Sequence, residues 1–391
     1  IMMSAVLSNP DHPEYGVATI PFPVPRDQYT YCMDLLEALE IGDTVKADCK
    51  MEKVDSFYTV LKRVEMLTVN VEELNYLAKR LESFDTGEAA QFQAMAHKLE
   101  LFELKDLINL TFCCQQATVI TDFSDLAAIG RDHYMNLHGG CASVDELNKL
   151  DGKEIARQLI ESGSGTVTPY GVVYDNGMKL EQVYDGRFFP CYYYKPNAIT
   201  VAVTSKAEPE GTEHITWLFL PMVQEEIDRA FLRGGITDPA DVRLRLEDSQ
   251  FPNEVDVLLD MEYETLSDLN ELAAATDGLS NADMEKLGAV VTLAKPKSAA
   301  QIKNLAESLD LFDLAPGAHT PQEYGKYMIQ QSGRFDYDEN LDAFYDYEKY
   351  GTERMNAEDG MFTDRGYIAY KGYISTEEVM NGGQSNHMVL G

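Results

Sequence analysis

Two stretches of the chain concentrate groups able to do electrostatic chemistry. Residues 252–285 carry ten carboxylates, among them Glu254, Asp256, Asp260, Glu262, Glu264 and Asp268, and no lysine or arginine. Residues 336–364 carry ten more, including Asp342, Asp346, Glu348, Glu358 and Asp359, against Lys349 and Arg354. In the first stretch EVDVLLDMEYE alternates, which predicts a strand with Val255, Val257, Leu259, Met261 and Tyr263 inward and the carboxylates outward. Carboxylates two residues apart on a strand stand about 6.6 Å apart, roughly twice the axial spacing of charges on one DNA strand. The plain alternative is a solvated strand face. In the second stretch the spacing predicts a helix with Leu341, Phe344 and Tyr345 on one side and Asp342, Asp346, Lys349 and Glu353 on the other. Tyr337, Tyr345, Tyr347 and Tyr350 suit an interface or a core equally well.

Other chemistries find less support. There is no GxxxxGK[ST], no GxGxxG between strand and helix, no GxSxG and no HExxH. The Gly-rich SGSGT at 162–166 runs into a strand pattern and reads as a flexible linker. His138 and Cys141 form one HxxC without a second pair, too little for zinc. Asp336, Asp338 and Asn340 occupy the first EF-hand positions, but Leu341 stands where the loop needs glycine and Tyr347 where it needs a bidentate glutamate. No catalytic residue, metal site or cofactor is expected.

The elements that must carry these acids belong to an ordinary globular chain. Its 391 residues are 45% hydrophobic and 25% charged, which excludes wholesale disorder. The sign of the charge is unusual: 66 acids against 32 bases leave −34. Such a chain is repelled by phosphate, so direct binding of nucleic acid or of an anionic membrane is not expected. Simple solubility and attraction to a partner built to hold DNA both fit this charge. Six scattered cysteines read as reduced thiols, and no leader or membrane span is apparent, so a cytoplasmic location is expected.

The sequence also repeats itself. At an offset of 195 residues EELNYLA (72–78) meets SDLNELA (267–273), Asn109-Leu110 meets Asn304-Leu305, Gly130 meets Gly325 and Asp151 meets Asp346. GTVTPYGVVYDNG (165–177) then meets GMFTDRGYIAYKG (360–372). This predicts a tandem duplication with units at 1–195 and 196–391. Each unit is expected to open with a strand (18–24; 215–220) and a helix (26–40; 222–232), to be helical in the middle, and to close on a hairpin (172–182; 366–374). In the second unit the helices are expected at 266–276, from a cap at Ser280 or Asn281 to about 293, and at 298–310. The fold class is α+β, small mixed sheets flanking helical subdomains.

The second unit resembles the ArdA antirestriction family. The resemblance rests on SDLNELA at 267–273, Ala289, Asn304-Leu305, EYGKYMIQQSG at 323–333, LDAFYDYEKYG at 341–351 and GMFTDRGYIAY at 360–370, an ordered set over most of residues 215–372. The first unit keeps echoes of it, LNYLA at 74–78 and IGRDHY at 129–134, and has DGKEIA where the second has DYEKYG. The resemblance implies an elongated, non-enzymatic protein of conjugative and other mobile DNA, commonly a homodimer. Such a protein mimics bent B-form DNA in the DNA-binding groove of type I restriction–modification enzymes. Asp256, Asp260, Glu262, Glu264, Asp268, Asp342, Asp346, Glu348, Glu358 and Asp359 are the expected phosphate-mimicking acids. The extra unit either replaces one dimer partner or adds a domain of other purpose. A decoy for another DNA-handling complex, and an acidic enzyme with an unrecognised site, are the competing readings.

Overall fold

The computed structural model describes residues 2–383. They form two compact units, residues 2–194 with 223–239, and residues 195–222 with 240–383. With 44% helix and 18% strand the fold is α+β. Every strand pairing among the described residues is antiparallel, so the sheets are simpler than the mixed ones expected.

Unit 1 opens on β1 (Met3–Ser8) and β2 (Val17–Phe22), continues through α1 (Tyr29–Ala38), and completes its first sheet with β3 (Cys49–Ser56) and β4 (Thr68–Val69), in the order β2-β1-β3-β4. Met3, Ala5 and Leu7 alternate inward on β1, opposite Ala18, Ile20 and Phe22 of β2. Three helices follow, α2 (Val71–Glu82), α3 (Thr86–Lys98) and α4 (Leu104–Leu110), and their apolar faces share one core with that sheet. The unit ends with β5 (Thr118–Ile120), α5 (Leu126–Leu137), α6 (Val144–Lys149), α7 (Gly152–Glu161), β6 (Thr166–Thr168) and β7 (Gly171–Tyr174), the strands ordered β5-β7-β6. Helix α8 (Gln224–Arg233) also belongs to this unit. Its Arg233 is 5% exposed, donates to the Thr44 carbonyl, Asn70 Oδ1 and the Tyr184 hydroxyl, and lies over the Phe189 ring.

Unit 2 follows a similar but not identical order of elements. Its first sheet is β8 (Ile199–Ser205), β9 (Thr216–Leu220) and β10 (Val242–Ser249), ordered β10-β8-β9. After a single helical turn, α9 (Asn253–Asp256), come α10 (Leu266–Thr276), α11 (Asn281–Ala294) and α12 (Ala299–Ala306), capped by Thr265, Ser280 and Ser298 as serine and threonine cap helices generally. Then follow β11 (Phe312–Pro316), α13 (Pro321–Gln330), α14 (Tyr347–Ala357), β12 (Asp359–Thr363), β13 (Gly366–Tyr370) and α15 (Thr376–Met380), with strand order β11-β13-β12.

The residues that coincide at the 195-residue offset do the same backbone task in each unit. Asn75 Oδ1 accepts from the Val24 amide, and Asn270 Oδ1 from the Met222 amide, both at 2.9 Å. Asn109 donates to the Tyr184 carbonyl and Asn304 to the Met380 carbonyl. Asp151 caps α7 and Asp346 caps α14. Thr168 and Thr363 each close a two-residue turn by donating to the carbonyl of Gly171 or Gly366, whose φ of +127° and +132° favour glycine.

Three sequence expectations need correction. EVDVLLDMEYE is not a strand: α9 takes residues 253–256, and Asp260 then accepts from the Glu262 amide through its side chain and from the Tyr263 and Glu264 amides through its carbonyl. A local aspartate turn replaces the ladder a strand would need, leaving Val255 buried but Val257 and Tyr263 71% and 82% exposed. The predicted helix over 341–353 is two pieces, a 3-10 turn at Glu339–Phe344 capped by Asp338 and then α14 capped by Asp346. Asp342 and Asp346 are therefore not an i,i+4 pair on one helix. Each closing hairpin lies one strand earlier than expected, β6–β7 and β12–β13, because the Thr168 and Thr363 turns rather than Asn176-Gly177 reverse the chain. In SGSGT, between α7 and β6, Ser162, Gly163 and Ser164 are exposed and Gly165 alone is packed, a Cβ there lying 2.7 Å from Val172.

Helices α5 and α7, and likewise α13 and α14, approach through glycine. A Cβ on Gly130 would stand 1.8 Å from the Gly152 carbonyl oxygen, and one on Gly325 2.0 Å from the Tyr347 carbonyl oxygen. Both atoms are backbone and cannot swing aside. Gly130→Ala and Gly325→Ala are each expected to cost at least about 1–3 kcal/mol, the usual range for overpacking, read as lower midpoints in denaturant unfolding followed by circular dichroism. An unchanged midpoint in either variant would refute this close approach.

Candidate functional site

The charge is unequal between the halves. Residues 1–195 hold 30 acids and 17 bases, residues 196–391 hold 36 and 15. At the 195-residue offset the ten expected acids meet Leu61, Glu65, Leu67, Val69, Glu73, Leu147, Asp151, Lys153, Gly163 and Ser164. The first half thus keeps the backbone pattern and lacks seven of the ten carboxylates.

All ten lie in unit 2, in two groups along the chain. In the first, Asp260 and Glu262 are exposed, on the turn between α9 and α10. Asp268, partly buried, sits in the first turn of α10, where a carboxylate is favoured by the helix dipole. Glu264 accepts from the Ala299 amide at the start of α12, and burial pushes its carboxyl above the usual range, helped by Asp268 and Asp260 nearby. Asp256 accepts from the Ser249 hydroxyl at 2.6 Å and is likewise pushed up by burial, with Asp248 adding to it.

In the second group Asp342, Asp346, Glu348 and Asp359 are exposed. Asp342 accepts from the hydroxyls of Tyr347 and Tyr337 and from Gln330 Nε2, and the first two bonds hold its carboxyl below the usual range. The tyrosines among these acids therefore fix a carboxylate in place. Asp346 gives one oxygen to the Lys349 amide as cap of α14, while Glu348 stands on the outer face of that helix with Glu353. Glu358 is turned inward: it pairs with Arg354 and accepts from the Tyr324 hydroxyl at 2.6 Å. Asp359 opens β12 beside it. Glu271, Asp277, Asp336, Asp338, Glu339 and Asp364 are exposed acids of the same two stretches, omitted from the expected ten. Only the tertiary structure separates exposed from engaged carboxylates, so sequence held no signal that could have chosen among them.

The stretch 252–285 has no base in sequence, but the structure supplies one. Arg365, in the β12–β13 turn, forms a two-bond fork with Glu254 at 2.9 and 3.0 Å and pairs with Glu285 at 2.7 Å. Gly288 on α11 makes the room, since a Cβ there would lie 2.4 Å from Arg365 Nε. The fork ties the hairpin carrying Asp359 to α9 and α11. At the matching place in unit 1, Thr59 donates to the Tyr170 hydroxyl, so a neutral hydrogen bond joins the same elements.

Among the described residues no group of three or more His, Cys, Asp or Glu side chains is placed to hold a metal ion. All six cysteines are free thiols. No helix of the described residues is long and apolar enough to cross a membrane.

Arg365 holds the Glu254 carboxyl below its ordinary 4.5, so the fork contributes stability above that pH and loses it as pH falls through the lower folded value. A double-mutant cycle of Glu254→Gln and Arg365→Met is expected to give a coupling of about 1–2 kcal/mol at pH 7. The coupling should fade on acidification below about pH 4. A coupling that is zero at pH 7, or unchanged at pH 3, would contradict the fork's role.

No curated protein matches the chain. A family model described as antirestriction protein (ArdA) matches residues 209–369, the part that carries every one of the ten acids. Over that stretch the second half of the chain is similar to the ArdA antirestriction family.

Proposed function

We propose that this protein blocks restriction by standing in for DNA: exposed carboxylates of its second half occupy phosphate positions on a type I restriction–modification enzyme. The ArdA match over residues 209–369 carries this reading. The acid distribution supports it, because carboxylates crowd that half while the first half, with the same backbone pattern, has neutral or basic residues at most matching places. Asp260, Glu262, Asp342, Asp346, Glu348 and Asp359 are the foremost contacts, being exposed. Asp268 flanks the first group. Asp256, Glu264 and Glu358 act mainly by holding the surface together, through Ser249, Ala299 and Arg354.

Inhibition of this kind needs no catalytic step. Arginines and lysines of the enzyme that would meet phosphates meet carboxylates, and long-range attraction raises the association rate. Each lysine or arginine so paired adds to the salt dependence, because the counterions of the two surfaces are released together. The protein would act in the cytoplasm of a cell receiving mobile DNA, as a monomer or a homodimer. The first half we read as a diverged ArdA-like copy that keeps the fold without the acid pattern.

The test is DNA cleavage and methylation by a purified type I enzyme with this protein titrated in. Expected are stoichiometric inhibition, relief by excess DNA, and an apparent affinity that falls by tenfold or more between roughly 50 and 200 mM salt. Neutralising Asp260, Glu262, Asp342, Asp346, Glu348 and Asp359 together to Asn or Gln should abolish inhibition, and any one alone should be mild. Neutralising six exposed acids of the first half should have little effect. No inhibition of several type I enzymes by folded protein would move the reading to a decoy for another DNA-handling complex. One single substitution that abolishes inhibition without unfolding would refute the distributed mechanism.

A further inference from the structure

Unit 1 has an open groove where the end of α2 meets the start of α3, with a volume of about 370 Å³, within the roughly 300–1,000 Å³ typical of binding pockets. Its apolar wall is Met2, Leu81 and the rings of Phe57 and Phe84. Phe57 is 74% exposed, a large ring left in water beside an otherwise well-packed core. Its ring is perpendicular to that of Tyr58, their centroids 5.8 Å apart.

The polar wall is anionic. Glu82 and Asp85 line the groove and both are exposed. One oxygen of Glu82 takes the Tyr194 hydroxyl, and one of Asp85 takes the Glu88 amide as cap of α3. Each carboxylate has a second oxygen beyond these bonds. The C-terminal carbonyls of α2 add negative potential at the same place, while Asp85 offsets the positive end of α3. Arg80, 6.0 Å from the Phe84 centroid, is engaged elsewhere, bonded to Thr111 and lying over Phe112 and Tyr192.

Two aromatic rings next to two carboxylates match one chemistry, a planar cation with apolar neighbours. A guanidinium stacks on an aromatic face and forks onto carboxylate oxygens, whereas a bare metal ion or a small amine makes no use of the apolar wall. The second half does not repeat the arrangement: at the 195-residue offset Phe57 meets Pro252, Phe84 meets Leu279 and Asp85 meets Ser280. The groove is a property of the first half, outside the acid surface assigned above.

We propose that this groove binds an arginine of a protein partner, the guanidinium between the Phe57 and Phe84 rings and the Glu82 and Asp85 carboxylates, with apolar residues beside that arginine resting on Met2 and Leu81. It gives the first half a contact of its own, independent of whether the second half blocks a restriction enzyme.

Met2 provides the reporter. The full chain is labelled with methyl-¹³C methionine, the Met2 signal is assigned from Met2→Leu, and the peptide acetyl-Leu-Arg-Leu-amide is titrated in. Expected is a saturable shift of the Met2 signal while the other methionine signals stay in place. The citrulline analogue, which keeps the shape and loses the charge, should bind about tenfold more weakly or worse. Phe57→Ala and Glu82→Gln should weaken the arginine peptide similarly, with their other methionine signals unchanged as the check that they fold. No Met2 shift, equal binding of the citrulline peptide, or a uniform drift of all methionine signals from unspecific attraction would each overturn the proposal. None of these variants touches the acids of the second half, so a failure here is read separately from a failure of restriction inhibition.

Discussion

Side chains that complete the hydrogen bonding of irregular backbone are what the two halves have in common and what their folds depend on. A buried amide or carbonyl without a partner costs about 1–3 kcal/mol, and each half has many segments outside helix and strand. Asn109 is fully buried and serves the Tyr184 backbone twice, accepting from its amide and donating to its carbonyl. Asn75 and Asn270 hold the chain just after the second strand of each first sheet. An aspartate or leucine, of similar size, could not both donate and accept, so these positions tolerate little change while the surface around them drifts.

That constraint explains how one backbone pattern carries two chemistries. Where unit 2 joins its closing hairpin to the preceding helices with the Arg365 fork, unit 1 uses Thr59 and Tyr170. Where unit 2 packs Tyr324, Arg354 and Tyr367 around Glu358, the matching residues of unit 1 are Ile129, Leu159, Val172 and Gly163, most of them in a small aliphatic core. The aliphatic version is the simpler one, since it buries no charge and needs no internal partner. The polar version orients Glu358 inward and so removes it from the surface beside Asp359. Charge in the second half is therefore placed by a supporting layer of hydrogen bonds, and its amount alone does not describe it.

The glycine contacts belong to the same logic. Helices α5 and α7, and α13 and α14, touch backbone to backbone at Gly130 and Gly325. Such proximity sets where the caps Asp151 and Asp346 lie, and through Asp346 it sets the first turn of α14 with Glu348. Tyr347, the first residue of α14, joins Tyr337 and Gln330 in donating to the exposed Asp342, three donors converging on one carboxylate. Carboxylates held in place in this way lose little side-chain entropy when a partner binds, whereas flexible ones lose more.

Much of this was legible in the sequence, for identifiable reasons. Matches at a single offset marked Asn75, Asn109, Gly130, Asp151 and Thr168 and their counterparts because a backbone task admits few residue types. Helices α10 and α11 were placed within a residue or two because caps are local signals that need only neighbours four residues away. The α+β class and the acid excess of the second half were likewise plain. Only the tertiary structure could show that EVDVLLDMEYE turns instead of extending, since a period of two is also met by a turn whose aspartate satisfies its own backbone. Only it could show that Arg365 neutralises Glu254 and Glu285 from about 80 or more residues away in sequence. And only it could divide the carboxylates into exposed and engaged, because a side chain's partner is set by through-space contact, which residue order does not encode locally.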